Sequence, residues 1–175
     1  MEIRPVEDRS DVRGVIRAHG RAWRAAYDGL LPSAVLERQP VDPDPEVVDE
    51  WAAGLRENRE GVLVAVDDDG TVCGFIDVRW GDRETKPFVN GGEADLKAIY
   101  VDPDRWGEGI GTALLDRGLT LLPDTVDVVR LEAFADNDVG ARFYERRGFE
   151  ATGHGSHEVA GESYPTTIYS RAVDR

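Results

Sequence analysis

One cysteine, one methionine and two lysines are all that the 175 residues hold of these three types. The single cysteine, Cys73, has no partner within the chain, so no internal disulfide staples the fold and stability must come from a packed core. A chain of this length buries roughly 70% of the surface its unfolded form exposes, which is enough for one domain over residues 1–175. Cys73 lies in the apolar run Val72-Cys73-Gly74-Phe75-Ile76 and reads as a small buried hydrophobe, as suits a reducing cytoplasm. No stretch of about 18 apolar residues occurs, and Met1-Glu2-Ile3-Arg4-Pro5 has no apolar core. The sequence therefore reads as unexported and free of membrane spans.

Lysine is scarce even against the charge. Lys86 and Lys97 are the only lysines among 21 basic residues, the other 19 being arginine, and 35 acidic residues bring the net charge to -14. Such a surface repels phosphate backbones, which excludes nucleic acid as a partner and favours a cationic one. Clusters such as Asp67-Asp68-Asp69 resemble the hydrated carboxylate surfaces of salt-adapted proteins. A GC-rich genome produces the same bias toward Arg and Asp without salt adaptation.

After a short strand near Ile3, apolar residues Val12, Val15, Ile16, Trp23, Ala26 and Tyr27 recur at helical spacing, with Asp8 or Ser10 as N-cap. Two helical pieces follow at 32–38 and 45–57. Strands at 62–66 and 72–78 flank Asp68-Asp69-Gly70, a hairpin signal. The pattern then predicts a strand at 93–101, a glycine-rich turn, a helix at 110–122, a strand at 126–134 and a helix at 139–147 closed by Gly148. Two last strands lie around the Ala160-Gly161-Glu162 turn. An early hairpin joined to a β-turn-α-β-α unit makes this an α+β (mixed α/β) chain, not a doubly wound one.

The chemistry concentrates in Tyr100-Val101-Asp102-Pro103-Asp104-Arg105-Trp106-Gly107-Glu108-Gly109-Ile110-Gly111-Thr112. Three alternate glycines at the mouth of a helix leave backbone N–H groups uncovered, where the helix dipole adds partial positive charge, so such a turn binds phosphates. A tight strand-to-helix turn with no ligand is the alternative. The dinucleotide fingerprint and the Walker loop both fail, for want of a third glycine at Thr112 and of a Gly-Lys-Ser/Thr ending.

Residues 96–115 resemble the signature of the GNAT superfamily of acetyl-CoA-dependent N-acetyltransferases: a strand, Arg/Gln-x-x-Gly-x-Gly/Ala, then a helix. Independently, Asn137-Asp138-Val139-Gly140-Ala141-Arg142-Phe143-Tyr144-Glu145-Arg146-Arg147-Gly148-Phe149 is similar to the family's downstream motif. The likeness covers about residues 60–172 and is thinner before, although residues 22–32 resemble the first helix and following loop of many members. It implies a mostly antiparallel sheet of about seven strands, splayed at the cofactor site and flanked by about four helices. It further implies acetyl transfer from acetyl-CoA to a primary amine, of a small molecule or of a protein or peptide, in a direct ternary complex. No nucleic acid, membrane or metal is involved, and a homodimer is allowed. A non-catalytic, acyl-CoA-binding regulatory module is the competing reading.

By the same resemblance, the cofactor contacts Ile99 and Val101 through backbone groups freed by a bulge, with Tyr100 between them, and Trp106, Gly107, Glu108, Gly109, Ile110, Gly111 and Thr112 in the turn. Asn137, Gly140 and Tyr144 form one stripe of the last helix, Gly140 leaving room beside the hydroxyl. Trp106 departs from the family's Arg or Gln, with Arg105 displaced by one, and Glu108 is an anion beside the expected pyrophosphate. Tyr144 is the general acid that protonates the departing thiolate; the alternative is a core aromatic like Phe143. Asp95 and Glu93, on one strand face, are candidate bases for the amine or else solvated strand-edge charges. Trp23, Tyr27 and Tyr164 line the acceptor pocket by analogy. His154 and His157 lack a third ligand in the sequence, so no metal is assigned.

Overall fold

The computed structural model describes residues 1–174. Its elements run β1 (Glu2–Arg4), α1 (Arg9–Ala26), α2 (Ser33–Glu37), α3 (Pro45–Glu57), β2 (Val62–Val66), β3 (Val72–Arg79), β4 (Glu93–Val101), α4 (Ile110–Leu119), β5 (Val128–Phe134), α5 (Asp138–Arg146), β6 (Glu150–Val159) and β7 (Glu162–Ala172). The seven strands form one sheet in the order β1-β2-β3-β4-β5-β7-β6. Five helices flank it, α2 and α3 being the two pieces expected at 32–38 and 45–57, parted by the prolines between them. α4 stops at Leu119 instead of Leu122, its last turn tightening into i→i−3 bonds such as Leu121 N–H to the Gly118 carbonyl.

α1 begins where Asp8 accepts from the Asp11 N–H at 2.9 Å, and its buried residues pack on the sheet through Val15 and on α3 through Val12 and Ile16. β2 is buried along its whole length, as a strand covered on both faces must be. The larger core joins Ile76, Val78, Leu96 and Leu131 to Ile110, Leu114 and Leu115 of α4 and to Phe149. The opposite face packs Val15, Val64 and Phe75, with Ile16 against Val48 of α3 beyond.

One irregularity positions everything that follows. β4 runs parallel to β5 only over Glu93↔Val128, Ala94↔Val129 and Asp95↔Arg130. Beyond that, β4 stays with β3 as far as Val101↔Gly74, while β5 stays with β7 as far as Phe134↔Thr166. The two central strands part like a wedge. A register shift between Asp77↔Ala98 and Val78↔Leu96 leaves Lys97 as the extra residue at the fork.

Candidate functional site

The wedge opens into a cavity of about 600 Å³ that extends to the start of α4 and one face of α5. Asp102 N–H donates to the Cys73 carbonyl at 2.8 Å. Bonded pairs alternate in an antiparallel ladder, so Tyr100 and Asp102 turn their backbone groups toward β3, and Ile99 and Val101 turn theirs into the wedge. The Val101 carbonyl is already engaged, accepting from the Trp106 indole N–H at 2.8 Å. Trp106 thus folds back over the strand end and forms an exposed rim.

The glycine turn follows from backbone conformation. Gly107 and Gly109 have φ of +83° and +82°, a region that favours glycine. Gly109 is the N-cap of α4, and no side chain caps that helix, so its first N–H groups remain available to an anion. Gly111 serves another purpose: a Cβ there would lie 2.9 Å from Phe143 Cε2, so its smallness lets α5 approach α4. Glu108 is drawn aside by Arg105, whose Nε lies 2.9 Å from one carboxylate oxygen, and Arg105 also reaches Asp67 of the β2–β3 turn at 3.2 Å. Glu108 is the one turn residue of the sequence reading that does not line the cavity. Thr112 lines it, but its hydroxyl accepts from Arg147 Nε at 2.9 Å.

α5 carries the downstream motif. Asn137 caps it, accepting from Gly140 N–H at 3.0 Å. A Cβ on Gly140 would meet Asn137 Nδ2 at 2.5 Å, so its smallness also admits the cap, and both residues line the cavity. Arg142 and Arg146, one turn apart, line the cavity and are exposed, and neither makes an ion pair with any described residue. In so acidic a protein, two free guanidinium groups at a cavity mouth form an anion-binding surface.

Tyr144 lines the cavity and packs edge-on against Phe143 and Phe149 and obliquely against Tyr169. Burial, reinforced by the phenols of Tyr100 and Tyr169, raises its pKa, so the hydroxyl keeps its proton. It makes no hydrogen bond to any described residue, which leaves it a free donor. Tyr27 also lines the cavity, its hydroxyl 3.5 Å from that of Tyr100, and burial raises both phenols. Trp23 packs on Tyr27, and Tyr164 on Phe134 beside it. These two stand behind the wall of the cavity.

The two candidate bases lie elsewhere. Asp95 is 2% exposed and falls on the last paired position before the wedge opens. It accepts from the backbone N–H of Lys86 at 3.1 Å, and burial raises its pKa against the pull of that bond. Glu93 accepts from Asn90 N–H at 2.9 Å and lies 3.6 Å from Arg130. Both carboxylates tie the segment 80–92 to the sheet, and neither lines the cavity. The carboxylate that does is Glu132 of β5, which the sequence reading missed. Its only signal in the sequence is a lone acidic residue within Leu131-Glu132-Ala133-Phe134. His154 and His157 sit on β6, His157 against the Phe134 ring.

Residues 23–149 match the Acetyltransferase (GNAT) family. The mycothiol acetyltransferase of Clavibacter sepedonicus is 35% identical over 109 residues, covering 62% of this chain and 31% of that protein; the chain thus spans about a third of that relative's length. The uncharacterized N-acetyltransferase YuaI of Bacillus subtilis (strain 168) is 26% identical over 151 residues, 86% of this chain and 82% of that one. The crystal structure of PaiA N-acetyltransferase from Thermoplasma acidophilum in complex with coenzyme A shares the fold, with a TM-score of 0.67 at 21% identity over 98% of each chain. Because the family match runs from within α1 to the residue before β6, well over half the sequence, the chain belongs to the acetyltransferase (GNAT) family of acetyl-transferring enzymes.

Proposed function

We propose that the chain transfers an acetyl group from acetyl-CoA to an amine in a direct ternary complex, with no acyl-enzyme intermediate. The observation that carries this reading is the convergence on one cavity of an uncapped α4, a wedge between β4 and β5, and the protonated, unpartnered phenol of Tyr144. The residues present fit the cofactor. The N–H groups at the start of α4 and the guanidinium groups of Arg142 and Arg146 suit its phosphates. The outward backbone groups of Ile99 and the N–H of Val101 suit an extended amide-bearing arm laid along β4 like an added strand. Acetyl-CoA supplies an activated thioester whose leaving group is a thiolate. Tyr144 protonates that sulfur as the bond breaks, a role its raised pKa and free hydroxyl support.

The acceptor is an amine of a small molecule or of a peptide. The net charge of -14 supports one that arrives as a cation. Two measurements test the function together: the rise in melting temperature with acetyl-CoA, and thiol release that depends on added amine. Both are expected. A rise in melting temperature with no amine-dependent release from any acceptor class would instead support a regulatory acyl-CoA-binding module.

A further inference from the structure

We infer that Lys97 is a site of self-acetylation: with acetyl-CoA bound and no acceptor present, the chain transfers the acetyl group to its own lysine. This rests on the proposed acetyl transfer. Side-chain amines able to become neutral nucleophiles are rare here. The other 19 basic residues are arginines, whose guanidinium groups stay protonated, which leaves Lys86 and Lys97. Lys86 is held elsewhere, its Nζ 3.4 Å from Glu132 Oε1, and it does not line the cavity. The amine of Met1 is also engaged, 3.2 Å from Asp68 of the β2–β3 turn. Lys97 lines the cavity and is exposed, and its side chain makes no hydrogen bond or ion pair with any described residue.

Two observations put Lys97 at the reacting end of the cavity. The outward backbone groups of β4 fall at Val101 and Ile99, so an arm that starts from phosphates at the uncapped α4 passes Val101 first and Ile99 next. Lys97 is the following position in that register, roughly 7 Å further at the rise of a strand. There the arm's thioester end meets the fork where β4 leaves β5. The second observation is the bulge. Leu96 and Ile99 pack toward α4, whereas Ala98 and Tyr100 pack toward α1, so the alternation of faces slips by one at Lys97. As the extra residue it has no partner on β3, and its flexible four-carbon stem belongs to neither packed layer.

The step balances. The Lys97 ammonium loses one proton to water in the open cavity. Its neutral Nζ forms the C–N bond to the acetyl carbon as the C–S bond breaks. Tyr144 gives its proton to the sulfur, and the second amine proton restores the phenol through solvent. The products are an uncharged acetyl-lysine, a free thiol and one released proton. An arriving acceptor competes for the same acetyl group, so the modification is the fate of a loaded cavity that no acceptor reaches.

The test incubates the full folded chain with acetyl-CoA alone and reads the acetylated positions by peptide mass spectrometry, with Lys86 as the internal control. Acetyl phosphate, a donor without the CoA moiety, shows how the two lysines react from solution. The ratio of acetyl-Lys97 to acetyl-Lys86 is expected to be roughly tenfold or more higher with acetyl-CoA, a small part of what proximity can supply. The rate constant should not depend on protein concentration. Desulfo-CoA, which fills the cavity without a thioester, should suppress acetyl-Lys97, and Lys97→Arg should remove the cavity-dependent acetylation altogether. The same ratio with both donors, a rate constant that rises with protein concentration, or acetyl-Lys97 that survives desulfo-CoA would overturn the inference. A parent that releases thiol on added amines yet leaves Lys97 unmodified would overturn it too, with acetyl transfer left standing. Failure of the underlying reading shows separately, as a parent whose melting temperature acetyl-CoA does not raise.

Discussion

Tyr144 and His19 are both buried among aromatic rings, and burial acts on them in opposite senses. For Tyr144 it suppresses the phenolate and leaves a proton to give. Tyr144→Phe removes one hydroxyl without changing the packing, so the melting temperature and acetyl-CoA affinity should hold while kcat falls by roughly 10²-fold. An unchanged kcat in a chemistry-limited assay would make Tyr144 a packing residue. For His19, enclosed by Trp23, Trp51 and Tyr100, burial pulls the pKa down to about 4. The unfolded imidazole takes up a proton near pH 6.5 and the folded one does not, so stability is complete above that pH and declines as pH falls toward 4. The loss is on the order of 3 kcal/mol. Replacing His19 with Phe should flatten the melting temperature between pH 6.5 and 4.5, and a variant that follows the parent's curve would contradict this origin.

At the scale of elements, α4 and α5 are joined by Arg147 bonded to Thr112 and by Phe143 seated over Gly111. That junction leaves the start of α4 open and aligns Arg142 and Arg146 along the same cavity. Both arginines are exposed, so the double substitution to Glu should leave the fold intact. Acetyl-CoA affinity should weaken by about tenfold or more, the scale of a charge-assisted hydrogen bond lost, and its dependence on salt should become shallower. Isothermal titration at two salt concentrations checks both, and a Kd within twofold of the parent would remove the arginines from the site. The turn and both helices were legible beforehand, because glycine spacing, an Asn cap and a terminal Gly act locally. Gly111 and Gly140 line the cavity, but each has a second role that spacing does not show. Their smallness serves Phe143 and Asn137, neighbours whose positions depend on packing rather than on spacing along the chain.

For the whole molecule, 35 acidic residues against 21 basic ones imply net self-repulsion that salt screens. Proposed as a salt adaptation, this charge should make the protein more stable in molar KCl than in dilute buffer. A melting temperature flat or falling across that range would remove the adaptation and leave the acetyl-transfer reading untouched. The sequence by itself determined the mixed order of strands and helices, the bounds of β2 and β4, and the glycine turn before α4, since each depends on residues within a few positions of one another. It could not separate Asp95 from Glu132, two carboxylates that each sit in a mostly apolar strand. That distinction depends on where β4 leaves β5, between the pair Asp95↔Arg130 and the fork at Lys97. Strand separation is set by long-range pairing, β4 continuing on β3 and β5 on β7. Only the tertiary structure therefore put Asp95 under the segment 80–92 and Glu132 inside the wedge.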